Sequence, residues 1–122
     1  DFLIVSVQTE LHDKYAAGLQ VDILRELARS RATGVLIDVT AVDMVDSFLG
    51  RLIGETASMA RMMGARTCLV GLQPAVAITL VELGLDLAGV HTALNMEKGL
   101  AWLRRSDFRS LRDFGSLPEE HK

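Results

Sequence analysis

The sequence predicts an α/β fold, a small and mostly parallel sheet with helices packed on it. Three observations predict it. Short runs rich in β-branched residues, "FLIVSV", "GVLIDV" and "TCLVGL", alternate with longer segments whose apolar residues recur at spacings of three and four. "GVLIDV" is nearly continuous in apolar residues, as a strand covered on both faces must be. The chain between successive runs is long enough for a helical crossover, which parallel neighbours require.

Residues 2–7 read as the first strand, too short and too β-branched for a helix. From Asp13 to about Ala28 the positions Ala16, Leu19, Ile23, Leu24 and Leu27 form the inner stripe of an amphipathic helix, with Asp13 available as its cap. "GVLIDV" is the second strand. A second helix begins at the Asp46-Ser47 seam and carries Phe48, Leu49, Leu52, Ile53, Thr56, Ala60 and Met63 on its inner side, with Gly64 placed to end it. Gly50 and Gly54 fall inside this helix, where they permit close packing. "TCLVGL" is the third strand. Gln73-Pro74 opens a third helix, because proline has no N–H to lose at the first helical position. Ile78, Val81 and Leu83 are expected to face the sheet, and Gly84 to close the helix. A short strand from His91 to Leu94 leads to Asn95, the cap of a last helix through Leu100, Trp102 and Leu103. Residues 1–109 form one domain, and residues 110–122, ending "SLPEEHK", lose the pattern and read as a polar C-terminal extension.

The totals agree with a single globular domain. The chain has 122 residues, 49% hydrophobic and 24% charged, enough to bury a core. A formal net charge of −3 gives no electrostatic reason for general affinity to nucleic acid or anionic lipid, so the expected partners are proteins. The single cysteine, Cys68, sits in an apolar strand with no second thiol to pair with, which fits a buried core residue in a reducing, cytoplasmic setting. No apolar run approaches the length of a membrane span, and no secretory leader opens the chain. The start at Asp1, directly before "FLIVSV", is expected to reflect a trimmed N-terminus.

Motifs for catalysis are not apparent. Neither a dinucleotide nor a Walker-type glycine loop is present. His12, His91 and His121 have no mutual spacing of three or four and no cysteine partners, so no metal site and no cofactor are expected. Ser47 lacks the Gly-x-Ser-x-Gly setting of a nucleophile elbow. Asp38, Asp43 and Asp46 cluster around the end of the second strand, where phospho-accepting receiver domains place an aspartate beside Mg²⁺. Against that alternative, "Gln8-Thr9-Glu10" after the first strand offers one acid, and no lysine stands at the end of a later core strand. Two readings of Asp46-Ser47 remain open on the residues alone: a helix cap, and a hydroxyl that accepts a phosphate. Residues 84–87 and the loop before Asn95 read as helix termination or as further contact surface. Met44, Met59, Met62 and Met63 suggest an adaptable face, although Met59 and Met63 have the spacing of packing contacts.

The succession "VLIDVTAVDMVDSFLGRLI", "ARTCLVGLQPAVAITLVELGLDL" and "TALNMEKGLAWL" resembles the STAS domain of bacterial anti-sigma-factor antagonists, most closely the RsbS-type proteins of stressosomes. The likeness covers residues 1 to about 104. It implies a small mixed, mostly parallel sheet with helices mainly on one side, and action by binding rather than catalysis. It also implies that Ser47, directly after Asp46, is phosphorylated by a partner serine kinase, with Asp43, Asp46 and Phe48 in the adjoining partner surface. The implied partners are an RsbT-type serine kinase, an RsbR-type STAS co-antagonist and a PP2C-like phosphatase, gathered in a large hetero-oligomer. A free antagonist of an anti-sigma kinase is the alternative within the same class. The family usually has a further strand before the one beginning here at Phe2.

Overall fold

The computed structural model describes residues 2–7, 13–84, 87 and 89–105, the side chains of 13–17 excepted. Outside the described residues lie Gln8, Thr9, Glu10, His12, Leu85, Asp86 and the extension 110–122 with His121. The element order is β1 (Phe2–Ser6), α1 (Asp13–Ser30), β2 (Gly34–Asp38), α2 (Ser47–Met62), β3 (Arg66–Val70), α3 (Pro74–Glu82) and β4 (Val90–Ala93), followed by α4 over 96–105. The four strands pair in parallel in the order β1-β2-β3-β4. The predicted α/β class and its alternation of strand and helix are what the structure shows.

Sequential strand order has a consequence for the layers. Each crossover steps in the same direction, and crossovers of one hand then place their helices on one face. α1 and α2 pack there, on Val35, Ile37 and Leu69, with Ile23, Leu27, Ile53 and Ala60 completing the core. Between these two helices the Gln20 Nε2 donates to Thr56 Oγ1 at 3.0 Å, and that hydroxyl donates to the Leu52 carbonyl at 2.7 Å. The buried threonine is thereby satisfied. α4 has no described strand to return to and covers the opposite face, where Leu103 meets Leu36, Cys68 and Val70. Its approach is close: a Cβ on Gly99 would stand 2.6 Å from Val70 Cγ1 and 3.0 Å from Leu36 Cδ1. Glycine lets the helix backbone rest directly on the sheet. Asn95 caps this helix as expected, its Oδ1 accepting from the Lys98 N–H at 2.9 Å.

Several boundaries and faces differ from expectation. α3 turns Val76 and Leu80 inward, whereas Ile78 and Val81 are 58% and 78% exposed and Leu83 is also exposed. In "PAVAITLVE" nearly every position is apolar, so periodicity cannot select a face; the contacts of the folded chain do. In α2 the small residues Ala57 and Ala60 complete the inner stripe, leaving Met59 and Met63 exposed at 37% and 43%. The expected core packing of this pair is therefore only partial. Phe48 is half-buried rather than fully inward. β3 stops at Val70 because Gly71 takes φ +78, and Leu94 lies beyond β4, 75% exposed.

Cys68 lies at the centre of β3 with no exposed surface. Burial pushes its thiol up to about 11 from 9.0. The folded chain therefore holds this proton more tightly than the unfolded chain. The associated stability is fully present below pH 9.0 and is lost as pH rises toward about 11. Urea midpoints measured across that window should fall for the wild type and fall less for Cys68→Ala. An alkylating reagent at pH 8 should label the native protein only as fast as it opens.

Candidate functional site

The carboxyl ends of the strands in an open α/β sheet are where loops converge, and the Asp46-Ser47 seam lies there. The loop from β2 to α2 is held at several points. Its buried Val39 donates its N–H to the Val70 carbonyl at 3.0 Å, and the buried Val42 donates back to the Val39 carbonyl at 2.9 Å. Asp38 Oδ1 accepts from the Thr40 N–H at 2.9 Å and from Thr40 Oγ1 at 2.6 Å. Gln73, at the N-cap of α3, donates its Nε2 to the Thr40 carbonyl at 2.8 Å. Gly71 closes the junction, since a Cβ there would lie 2.1 Å from Thr40 Oγ1. The loop before Ser47 is thus tied to the loop before α3.

From this frame α2 starts at Ser47. Asp46 is its N-cap, extended at φ −112 and ψ 178, and its Oδ1 accepts from the Leu49 N–H at 2.9 Å. The capping reading is therefore observed, and Asp46 fills it rather than Ser47. Ser47 occupies the first helical position with its side chain exposed, and Asp43 is exposed as well. At this position the Ser47 and Phe48 N–H groups have no acceptor within the helix, and the first turn holds no acidic residue of its own. The site joins a free hydroxyl to a positive helix end. Phe48 borders a shallow surface concavity with Arg51, Leu52 and Glu55.

Asp46→Ala should cost about 1 kcal/mol of stability through the lost cap, read as a lowered urea midpoint with an unchanged slope. Of the three aspartates that suggested a receiver site, Asp38 spends its carboxylate on Thr40 and Asp46 on the cap. Among the described residues no group of three or more His, Cys, Asp or Glu side chains is placed to hold a metal ion. Also among them, no helix is long and apolar enough to cross a membrane.

Sequence reasoning missed the clamp of Thr40, Gly71 and Gln73, because it joins residues about thirty positions apart. It also missed Leu94 as a surface residue. Met44 and Leu94, 81% and 75% exposed, follow the ends of β2 and β4 and add apolar side chains at this end of the sheet.

The family model of the STAS domain matches residues 1–98. The chain belongs to the STAS domain family. Its curated relatives include the RsbT co-antagonist protein RsbRA of Bacillus subtilis, 33% identical over 98 residues, which cover 80% of this chain and 34% of that protein. RsbRD of the same organism is 26% identical over 98 residues, covering 80% of this chain and 35% of RsbRD. The chain thus spans about a third of the length of these curated relatives. Among solved structures, RsbS of Moorella thermoacetica, in a serine-to-glutamate variant, superposes with a TM-score of 0.78 at 36% identity, covering 88% of this chain and 91% of that one. A chain from a structure describing the architecture of the stressosome gives 0.77 at 38% identity, with 88% and 93% covered. This STAS domain is therefore similar to stressosome proteins in sequence and in fold.

Proposed function

We propose that this STAS domain is a non-catalytic, cytoplasmic scaffold of a stressosome that retains an RsbT-type serine kinase and releases it when Ser47 is phosphorylated. The observation that carries the reading is Ser47 itself, exposed at the first position of α2 with Asp46 already serving as cap. A phosphate there finds unpaired N–H groups and the positive end of a helix dipole, so the fold can accept it. The same phosphate adds about −1.5 to −2 charges beside the exposed Asp43 and Asp46. A partner seated on the neutral hydroxyl then meets repulsion and unpaid desolvation. The names of the relatives support the partners: RsbRA is an RsbT co-antagonist, and another relative belongs to a stressosome. The assembly on this reading is a large hetero-oligomer with an RsbR-type STAS co-antagonist, and a PP2C-like phosphatase resets the serine. ATP and Mg²⁺ belong to the kinase.

The test is peptide mass spectrometry after incubation with ATP, Mg²⁺ and the RsbT-type kinase. A single acid-stable phosphate on Ser47 is the expected product. Phosphate elsewhere, or none, would return Ser47 to a structural position in the first turn, and an acid-labile phosphate would point to a receiver-like aspartate.

The identity to RsbRA favours a second reading, in which this STAS domain plays the RsbR-type co-antagonist part. Mixing the chain with an RsbS-type or an RsbR-type STAS protein separates the two, since the assembly forms with the complementary kind.

A further inference from the structure

Between the C-terminal end of α2 and α4 lies a surface rich in cations. Trp102 of α4 stacks on His91 of β4, ring centroids 4.0 Å apart and planes 3° from parallel. The indole borders two concavities. One, of about 320 Å³, is lined by Arg61, Ala65, Arg66 and Gly89 together with Trp102; the other, of about 480 Å³, includes Glu97, Lys98 and Arg105 in its wall. Among the described residues, four cations and one carboxylate line the two concavities beside Trp102 in a chain of net charge −3. Arg61, Lys98 and Arg105 are exposed and form no ion pair among the described residues.

One of these cations reaches over a glycine. Gly89 has φ +87, and a Cβ on it would stand 1.8 Å from Arg61 Nη2. The tip of the guanidinium approaches the backbone that leads into β4, where a side chain on residue 89 would collide with it. On the far side, Lys98 and Arg105 are seven residues apart on α4, two turns, and so share one face with Trp102 between them in sequence.

We propose that this surface docks an acidic, extended segment of a partner protein, with carboxylates on Arg61 at one side of the indole and on Lys98 and Arg105 at the other. The cations flank an aromatic ring rather than converge on a point, which suits a strand of carboxylates better than a single phosphate. The net negative charge of the whole chain disfavours a nucleic acid backbone, whose charge density is greater. Arg61 and Ser47 are fourteen residues apart on α2, roughly 20 Å along the axis, so the Arg61 side of this surface lies away from Ser47.

Trp102 is the only tryptophan in the chain and reports binding by its own fluorescence. The experiment titrates the full chain with an oligoglutamate peptide, with oligoglutamine of equal length and with a single-stranded oligonucleotide, at low and high salt. Oligoglutamate should bind with an affinity that falls as salt rises. Lys98→Glu combined with Arg105→Glu, both on the surface, should weaken it roughly tenfold or more. Ser47→Asp should leave it unchanged, which separates this surface from the phosphorylation switch. Undiminished affinity in the charge-reversed variant, equal binding of oligoglutamine, or no response to oligoglutamate at low salt would overturn the proposal. Tighter binding of the oligonucleotide would replace it with a nucleic acid surface.

Discussion

Phosphorylation of Ser47 is expected to weaken retention of the RsbT-type kinase by roughly a hundredfold or more, the effect of placing like charge against a desolvated interface. The reasoning begins with position. Ser47 is exposed, and a helix N-terminus can accept an anion, so on the proposed reading the modification is expected to leave the domain folded and to act on the partner. Ser47→Ala should therefore bind within about threefold of wild type, since it removes only an exposed hydroxyl. Ser47→Asp should fall between, because one carboxylate carries less charge than a phosphate and reaches less far. Ser58→Asp is the control: Ser58 is exposed on the same helix, eleven residues and roughly 16 Å further on. Calorimetric titration of the five proteins, wild type, phosphorylated, Ser47→Ala, Ser47→Asp and Ser58→Asp, with the kinase measures all of this. Equal affinity across the series would remove the switch, and an equal loss in Ser58→Asp would reduce it to a general effect of charge.

Leu36→Ala should destabilise the domain by about 3 kcal/mol, a large share of the total stability of a small domain. Leu36 is fully buried at the middle of β2, with Cys68 and Val70 beside it and Leu103 above. The void it leaves cannot close easily, because α4 already rests its backbone on the sheet at Gly99. Loss of the contact should loosen α4 first and then the whole fold. Urea unfolding followed by far-ultraviolet circular dichroism gives the magnitude, while Trp102 fluorescence reports α4. A cost below about 1 kcal/mol would mean that α4 settles into the space, and would contradict the close packing at Gly99.

Sequence and structure agree most closely where one local signal suffices. Asn95 caps the helix it precedes, because an asparagine before an apolar periodic run has few better uses. β2 is legible because a strand buried on both faces must be apolar throughout. α3 is the counterexample. Its apolar residues surround the helix, so the inward choice of Val76 and Leu80 depends on contacts that no local pattern encodes. The clamp at the candidate site is of the same kind. Thr40 and Gln73 meet only because β2 and β3 are neighbours in the sheet.

By itself, the sequence determined the α/β class, the succession of elements, the Asp46-Ser47 seam and, through its motifs, the likeness to stressosome STAS domains. Those features are written in periodicity, caps and nearly contiguous residues, which act over a few positions of the chain. Only the tertiary structure decided that Asp46 takes the cap and leaves the Ser47 hydroxyl outward, that α4 crosses to the second face, and that Arg61, Lys98 and Arg105 gather around Trp102. The physical reason is strand order: parallel pairing brings together residues that the sequence holds far apart, and the surfaces that result have no local signature.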